Sequence, residues 1–160
     1  MREIQEQVYQ KSAFTFDGIA KIVLRATTTG VRKIVLHVKD LEISTYSLTN
    51  NVVFNTGLIP YDKSKYDSIT DKWTINLDNN LPTDRATELT VNYKGFMRDD
   101  MKGLYRSFYM QDGIRKWMAA TQLHKTEART VFPCFDVSFH NFKVLLKSKS
   151  YKICFRSLDF

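Results

Sequence analysis

An all-β domain with antiparallel strands is the fold that the sequence predicts, on three observations. Apolar residues recur with period two rather than 3.6, β-branched runs stand between polar stretches, and turn-forming clusters separate the runs at short intervals. With 160 residues, 43% of them hydrophobic, and only six Gly and three Pro, the chain can bury a core within one domain.

The first element is the clearest. Phe14, Phe16, Gly18, Ala20, Ile22 and Leu24 fall on one face of an extended segment, and Thr15, Asp17, Lys21 and Arg25 on the other. Thr28 to Gly30 reads as a turn. Lys33 to Val38 is then a β-branched run suited to a more fully buried strand. His37 lies inside it and reads as a satisfied core residue rather than a ligand. Further on, Trp73, Ile75 and Leu77 alternate with Thr74 and Asn76, and Leu89, Val91 and Tyr93 with Glu88, Thr90 and Asn92. Asp62 to Lys65, Asp78 to Pro82 and Asp99-Asp100 punctuate these runs. Leu104, Arg106, Phe108 and Met110 oppose Tyr105, Ser107 and Tyr109, so that segment mixes charge with aromatics.

Catalytic signatures do not appear in the sequence. His37, His124 and His140 are far apart, there is no His-Glu-x-x-His, and there is no Gly-x-Ser-x-Gly elbow, Walker loop or dinucleotide fingerprint. No catalytic residue and no metal ligand is therefore assigned. Cys134 and Cys154 read as free thiols or small buried side chains in preference to a disulfide. No apolar signal region and no run long enough for a transmembrane helix is present, so a cytoplasmic location is expected of the chain as written.

The segment from Tyr93 to Asp136 carries further information. It contains Tyr93-Lys94-Gly95, Gly103-Leu104-Tyr105-Arg106-Ser107, Ala120-Thr121-Gln122, Glu127-Ala128-Arg129 and Phe132-Pro133-Cys134-Phe135-Asp136. In this order and at these separations the blocks resemble the N-terminal β domain of zinc aminopeptidases of the aminopeptidase N family. Phe16-x-Gly18 and Leu36-His37-x-x-x-Leu41 also suit that family. The likeness covers about residues 12 to 136. It implies an antiparallel saddle- or sandwich-like domain, incomplete at both ends, from an enzyme that removes N-terminal residues from peptides with zinc. The zinc, the catalytic domain and the Gly-Ala-Met-Glu-Asn and His-Glu-x-x-His motifs belong to the intact family, and this chain is expected to be inactive alone. Relatives are often membrane-anchored or extracellular, others cytosolic.

Residue roles follow only where the motif matches. The resemblance implies that Gln122 lines the pocket for the substrate's first side chain (S1), with a buried or turn-stabilising amide as the alternative. Two residues on, the family commonly has Glu or Gln to hold the substrate α-amine; here His124 stands, followed by Lys125. A neutral imidazole is a weaker anchor for an ammonium than a carboxylate, and a protonated one repels it. Arg106 and Arg129 read as structural hydrogen-bond donors, and Gly95 and Gly103 as tight or positive-φ positions.

After Asp136 the likeness stops. Two readings stand for residues 137–160: translated intron, since a frequent splice-donor sequence reads Val-Ser in frame, or a divergent terminal strand in which Phe142, Val144 and Leu146 alternate. A β domain cut at this point is expected to be poorly soluble and to expose Phe132, Phe135, Phe139 and Phe142. The net charge of +7, which first suggests nucleic acid, divides into +3 for residues 1–136 and +4 for 137–160, so no nucleic-acid partner is expected. Beside the aminopeptidase fragment stands a second reading, a non-catalytic module that binds peptides or a full-length aminopeptidase.

Overall fold

A computed structural model describes residues 14–49 and 65–136, together with the backbone of two short strands at 59–60 and 153–155. The strands are β1 (Thr15–Leu24), β2 (Lys33–His37), β3 (Leu41–Thr49), β4 (Ile59–Pro60), β5 (Tyr66–Asp67), β6 (Lys72–Asn76), β7 (Thr87–Phe96), β8 (Gly103–Gln111), β9 (Ile114–Gln122) and β10 (Ile153–Phe155). A 3-10 turn covers Ala128–Thr130.

These strands form three sheets among the described residues: β1-β7-β3-β4, β2-β6-β5 and β10-β9-β8. Every pair is antiparallel except β10 with β9. The all-β antiparallel class expected from the alternation is the observed one. The long alternating strands set the layers. In β7, Thr87, Leu89, Val91, Tyr93 and Gly95 point inward, and their neighbours along the strand are half-buried. β1 turns Phe16, Ala20, Ile22 and Leu24 to the same core. Its opposite face carries Ile19 and Val23, both well exposed, beside the charged residues read there from sequence.

Across the core, Ile34, Leu36, Trp73 and Ile75 of the β2-β6-β5 sheet meet Ile43, Tyr46, Leu48, Leu89 and Val91 of the larger sheet. The Tyr46 and Trp73 rings join the two layers edge to face at 5.3 Å. Leu36, Leu89, Val91 and Val131 are fully buried, and shielding apolar area of this kind from water is the main stabilising term of such a fold.

In β3 the pairing with β7 jumps from Ile43↔Tyr93 to Thr45↔Asn92, leaving Ser44 as a bulge. The extra residue resets the alternation, so that Ile43, Tyr46 and Leu48 all reach the core although their spacing is not even. β8 and β9 are joined by Asp112-Gly113, both with positive φ (52° and 74°), which is the two-residue turn that suits hairpin twist.

Phe132 is buried and Phe135 packs partly buried against the core. The expectation that both are exposed is therefore wrong: the segment that carries them folds back onto β2. Phe139, Phe142, Val144, Leu146 and most of the Asp62–Lys65 turn lie outside the described residues.

Candidate functional site

β9 ends at Gln122, whose partner across the hairpin is Gly103. Gly103 has φ +63°, and a Cβ there would lie 2.2 Å from Thr130 Oγ1. Only glycine allows the 3-10 turn to sit this close to the base of the hairpin. The backbone then leaves β9 through a tight turn. Glu127 N–H donates to His124 O at 3.1 Å, Thr126 adopts φ +69°, and Thr130 Oγ1 donates to Glu127 O at 2.7 Å. A β-branched residue at positive φ is costly, on the order of 1–3 kcal/mol, and persists only where its surroundings hold it.

The two sequence-assigned site residues meet just before this turn. Gln122 is half-buried and His124 exposed, and Gln122 Nε2 lies 2.5 Å from His124 Nε2. Thr121 just before them is buried and Lys125 just after is exposed. Gln122 and His124 thus form one polar corner at the end of β9, Gln122 half-buried and His124 exposed.

The two arginines are structural, as read from sequence. Arg106 pairs with the Asp99 carboxylate through Nε and Nη2 and lays its guanidinium 4.5 Å from the Phe14 ring centroid. Arg129 is nearly buried. Its Nε donates to Asp136 Oδ2 at 2.9 Å, and its Nη1 lies 3.6 Å from Asp71 Oδ2. Lys39 Nζ also reaches Asp71, at 3.5 Å.

Phe132 to Asp136 form a strap that closes on the end of β2. His37 N–H donates to Cys134 O at 2.8 Å, Cys134 N–H donates to His37 O at 3.2 Å, and Asp136 N–H donates to His37 Nδ1 at 3.2 Å. His37 is half-buried and hydrogen-bonded, as expected. Burial, with Arg129 and Lys72 adding to it, holds its pKa below 6.5 against the opposing Asp136 and Asp71. Cys134 is a buried free thiol whose pKa burial raises to about 12, the thiolate being further disfavoured by Asp136. Such a thiol is an inert core group.

The outer half of the β8–β9 hairpin exposes Phe108 (51%), Met110 (61%), Ile114 (59%) and Trp117 (41%). Phe108 and Trp117 meet edge to face at 5.7 Å, and Arg115 lies 4.5 Å from the Phe108 ring centroid. The mixture of charge and aromatics along β8 is legible in the sequence; that β9 completes the cluster with Arg115 and Trp117 follows only from the hairpin pairing.

No group of three His, Cys, Asp or Glu side chains among the described residues converges as a metal ion requires. The described residues do not fit a zinc site. No helix among the described residues is long and apolar enough to cross a membrane.

The fold and the ordered blocks from Tyr93 to Asp136 define an N-terminal β domain of metallopeptidase type. The chain belongs to the Peptidase M1 N-terminal domain family, which matches residues 3–149. It is 36% identical over 107 residues to human aminopeptidase N, covering 64% of this chain and 11% of that protein. To the membrane alanyl aminopeptidase of Manduca sexta it is 31% identical over 136 residues, 78% of this chain and 13% of that protein. To the human thyrotropin-releasing hormone-degrading ectoenzyme it is 27% identical over 139 residues, or 86% and 13%. The matched region is thus little more than a tenth of each relative's length.

Proposed function

We propose that this chain is the β domain of a zinc metallo-aminopeptidase, contributing the S1 side of a cleft in which N-terminal residues are removed from peptides. Membership of the family supports the class. The observation that carries the finer reading is the corner formed by Gln122 and His124, which offers an amide and an imidazole side by side at the open end of β9. A glutamine amide both donates and accepts, which suits it to line a pocket for varied side chains. His124 occupies the amine-anchoring position with a weaker anchor than a carboxylate. The zinc and the general base come from elsewhere in the intact enzyme, and the isolated chain is inactive.

Two experiments test this. Purified chain with added zinc should not release chromophore from aminoacyl-p-nitroanilides; turnover above buffer overturns the inactivity. A chimaera in which residues 14–136 replace the matching segment of human aminopeptidase N tests the site. Gln122→Ala should change the ratio of kcat/KM between alanyl and leucyl substrates about tenfold, within the range set by side-chain pockets, and His124→Glu should lower KM. Unchanged parameters for both variants overturn the assignment. The division at Asp136, with 137–160 as translated intron, is part of the same proposal, against which the family match running on to residue 149 already weighs; an uninterrupted exon across Asp136-Val137 ends that part.

A second reading, a non-catalytic module that binds peptides or an intact aminopeptidase, is favoured by the exposed Phe108–Trp117 hairpin, whose aromatic and Arg composition is that of interface centres. Capture of an intact aminopeptidase by the wild-type chain, lost in Trp117→Ala, would select it over the first.

A further inference from the structure

Asp136 is 99 residues from His37, and a single bond joins its N–H to the imidazole Nδ1. That bond requires a lone pair on Nδ1, and so a neutral ring with its proton on Nε2. The charges around the ring come from every element packed on it: Arg129 from the 3-10 turn, Asp136 from the strap, Lys72 opposite His37 in β6, and Asp71 from the turn before β6. Lys39 stands on Asp71. The Asp136 carboxylate is occupied, since Oδ2 accepts from Arg129 Nε at 2.9 Å and from Arg129 N–H at 3.4 Å.

We propose that His37 is a proton-sensitive latch: its neutral imidazole holds the Asp136 end of the Phe132–Asp136 strap against β2, and protonation of Nδ1 releases it. Protonation turns the acceptor into a donor that faces the N–H of Asp136, and it places another cation beside Arg129 and Lys72. The Cys134 end stays in place, because its two bonds to His37 are made by backbone groups that do not titrate. Release is therefore local to the Asp136 N–H, while the Asp136 carboxylate keeps its bonds to Arg129. The lowered pKa of His37 sets the opening on the acid side of 6.5.

The test is amide hydrogen exchange on the full chain between pH 8 and pH 5, expressed as protection relative to the intrinsic rate at each pH. Asp136 protection should fall about tenfold as His37 protonates, while Val91 in the central strand keeps its protection. In His37→Asn, which retains an acceptor near Nδ1 but does not titrate, Asp136 protection should not change with pH. Equal pH dependence in both proteins, or constant Asp136 protection in the wild type, overturns the latch. If His37→Asn does not fold, 15N NMR of the wild-type imidazole decides. The Nε2–H tautomer at pH 8, with titration in step with Asp136 exchange, supports it, and the Nδ1–H tautomer overturns it.

Discussion

Gly18 and Tyr93 face each other across β1 and β7, and the Tyr93 ring lies where a side chain at Gly18 would be, with a Cβ there 2.2 Å from Tyr93 Cζ. Two residues along, on the same face, the relation is reversed: Phe16 covers Gly95, whose Cβ would lie 2.2 Å from Phe16 Cζ. The two rings meet edge to face at 6.4 Å. Each aromatic thus shields the opposite glycine backbone from water. Gly18→Ala should displace the Tyr93 ring and lower stability by about 2 kcal/mol. An unchanged urea midpoint would show that the ring moves aside freely.

Arg129 and Asp136 form an ion pair with side chains only 11% and 13% exposed. Breaking a buried pair leaves the partner charge without compensation, so Arg129→Ala should cost about 3 kcal/mol. Arg129→Lys should recover only part of this, because an ammonium cannot span Asp136 and Asp71 as the guanidinium does. Chemical denaturation of the three proteins at pH 7.5 measures both effects.

Cys134 and Tyr93 both have their pKa raised by burial to about 12, from 9.0 and 10.0. The sign follows from linkage: the folded state keeps protons that the unfolded chain gives up, so stability is full below pH 9 and declines as pH rises from 9 towards 12. The urea midpoint should therefore fall between pH 8 and pH 11, less steeply in Cys134→Ala. A thiol reagent at pH 8 should leave Cys134 unmodified until the chain is unfolded.

Two tryptophans should respond very differently to truncation. Trp73 is fully buried between the sheets, and Trp73→Ala should cost about 4 kcal/mol. Trp117 packs on Phe14 at 4.9 Å but is 41% exposed, so Trp117→Ala should cost about 1 kcal/mol. Similar losses for both would mean that the hairpin cluster is part of the core.

Gln122 and His124 should be almost neutral for folding. Each of Gln122→Ala and His124→Glu should leave stability within about 0.5 kcal/mol of wild type. A larger loss from Gln122→Ala would assign its amide to stabilising the turn rather than to a pocket.

Much of the fold was legible because its longest strands obey their period. The alternation of Phe16 to Leu24 and of Leu89 to Tyr93 appears unchanged in β1 and β7. β3 is not legible as a strand, since the bulge at Ser44 puts Ile43 out of phase with Tyr46 and Leu48. β9 is not legible for another reason: its buried residues are Ala119, Ala120 and Thr121, which give little apolar contrast. The Asp112-Gly113 pair was the signal that could have found it, being a strong two-residue hairpin turn between extended runs. Gln122 and His124 are recognised through their motif, but the sequence holds no indication of their side-chain contact at the end of β9.

By itself the sequence determined the strand class, the inward faces of β1 and β7, and the family, because alternation and ordered motifs are local patterns. Only the tertiary structure decided that Phe132 is buried, that the strap closes on His37, and that Arg129 sits between Asp136 and Asp71. Those outcomes join residues up to 99 positions apart. Burial and hydrogen-bond partnership at such separation come from how layers pack, and no local period encodes them.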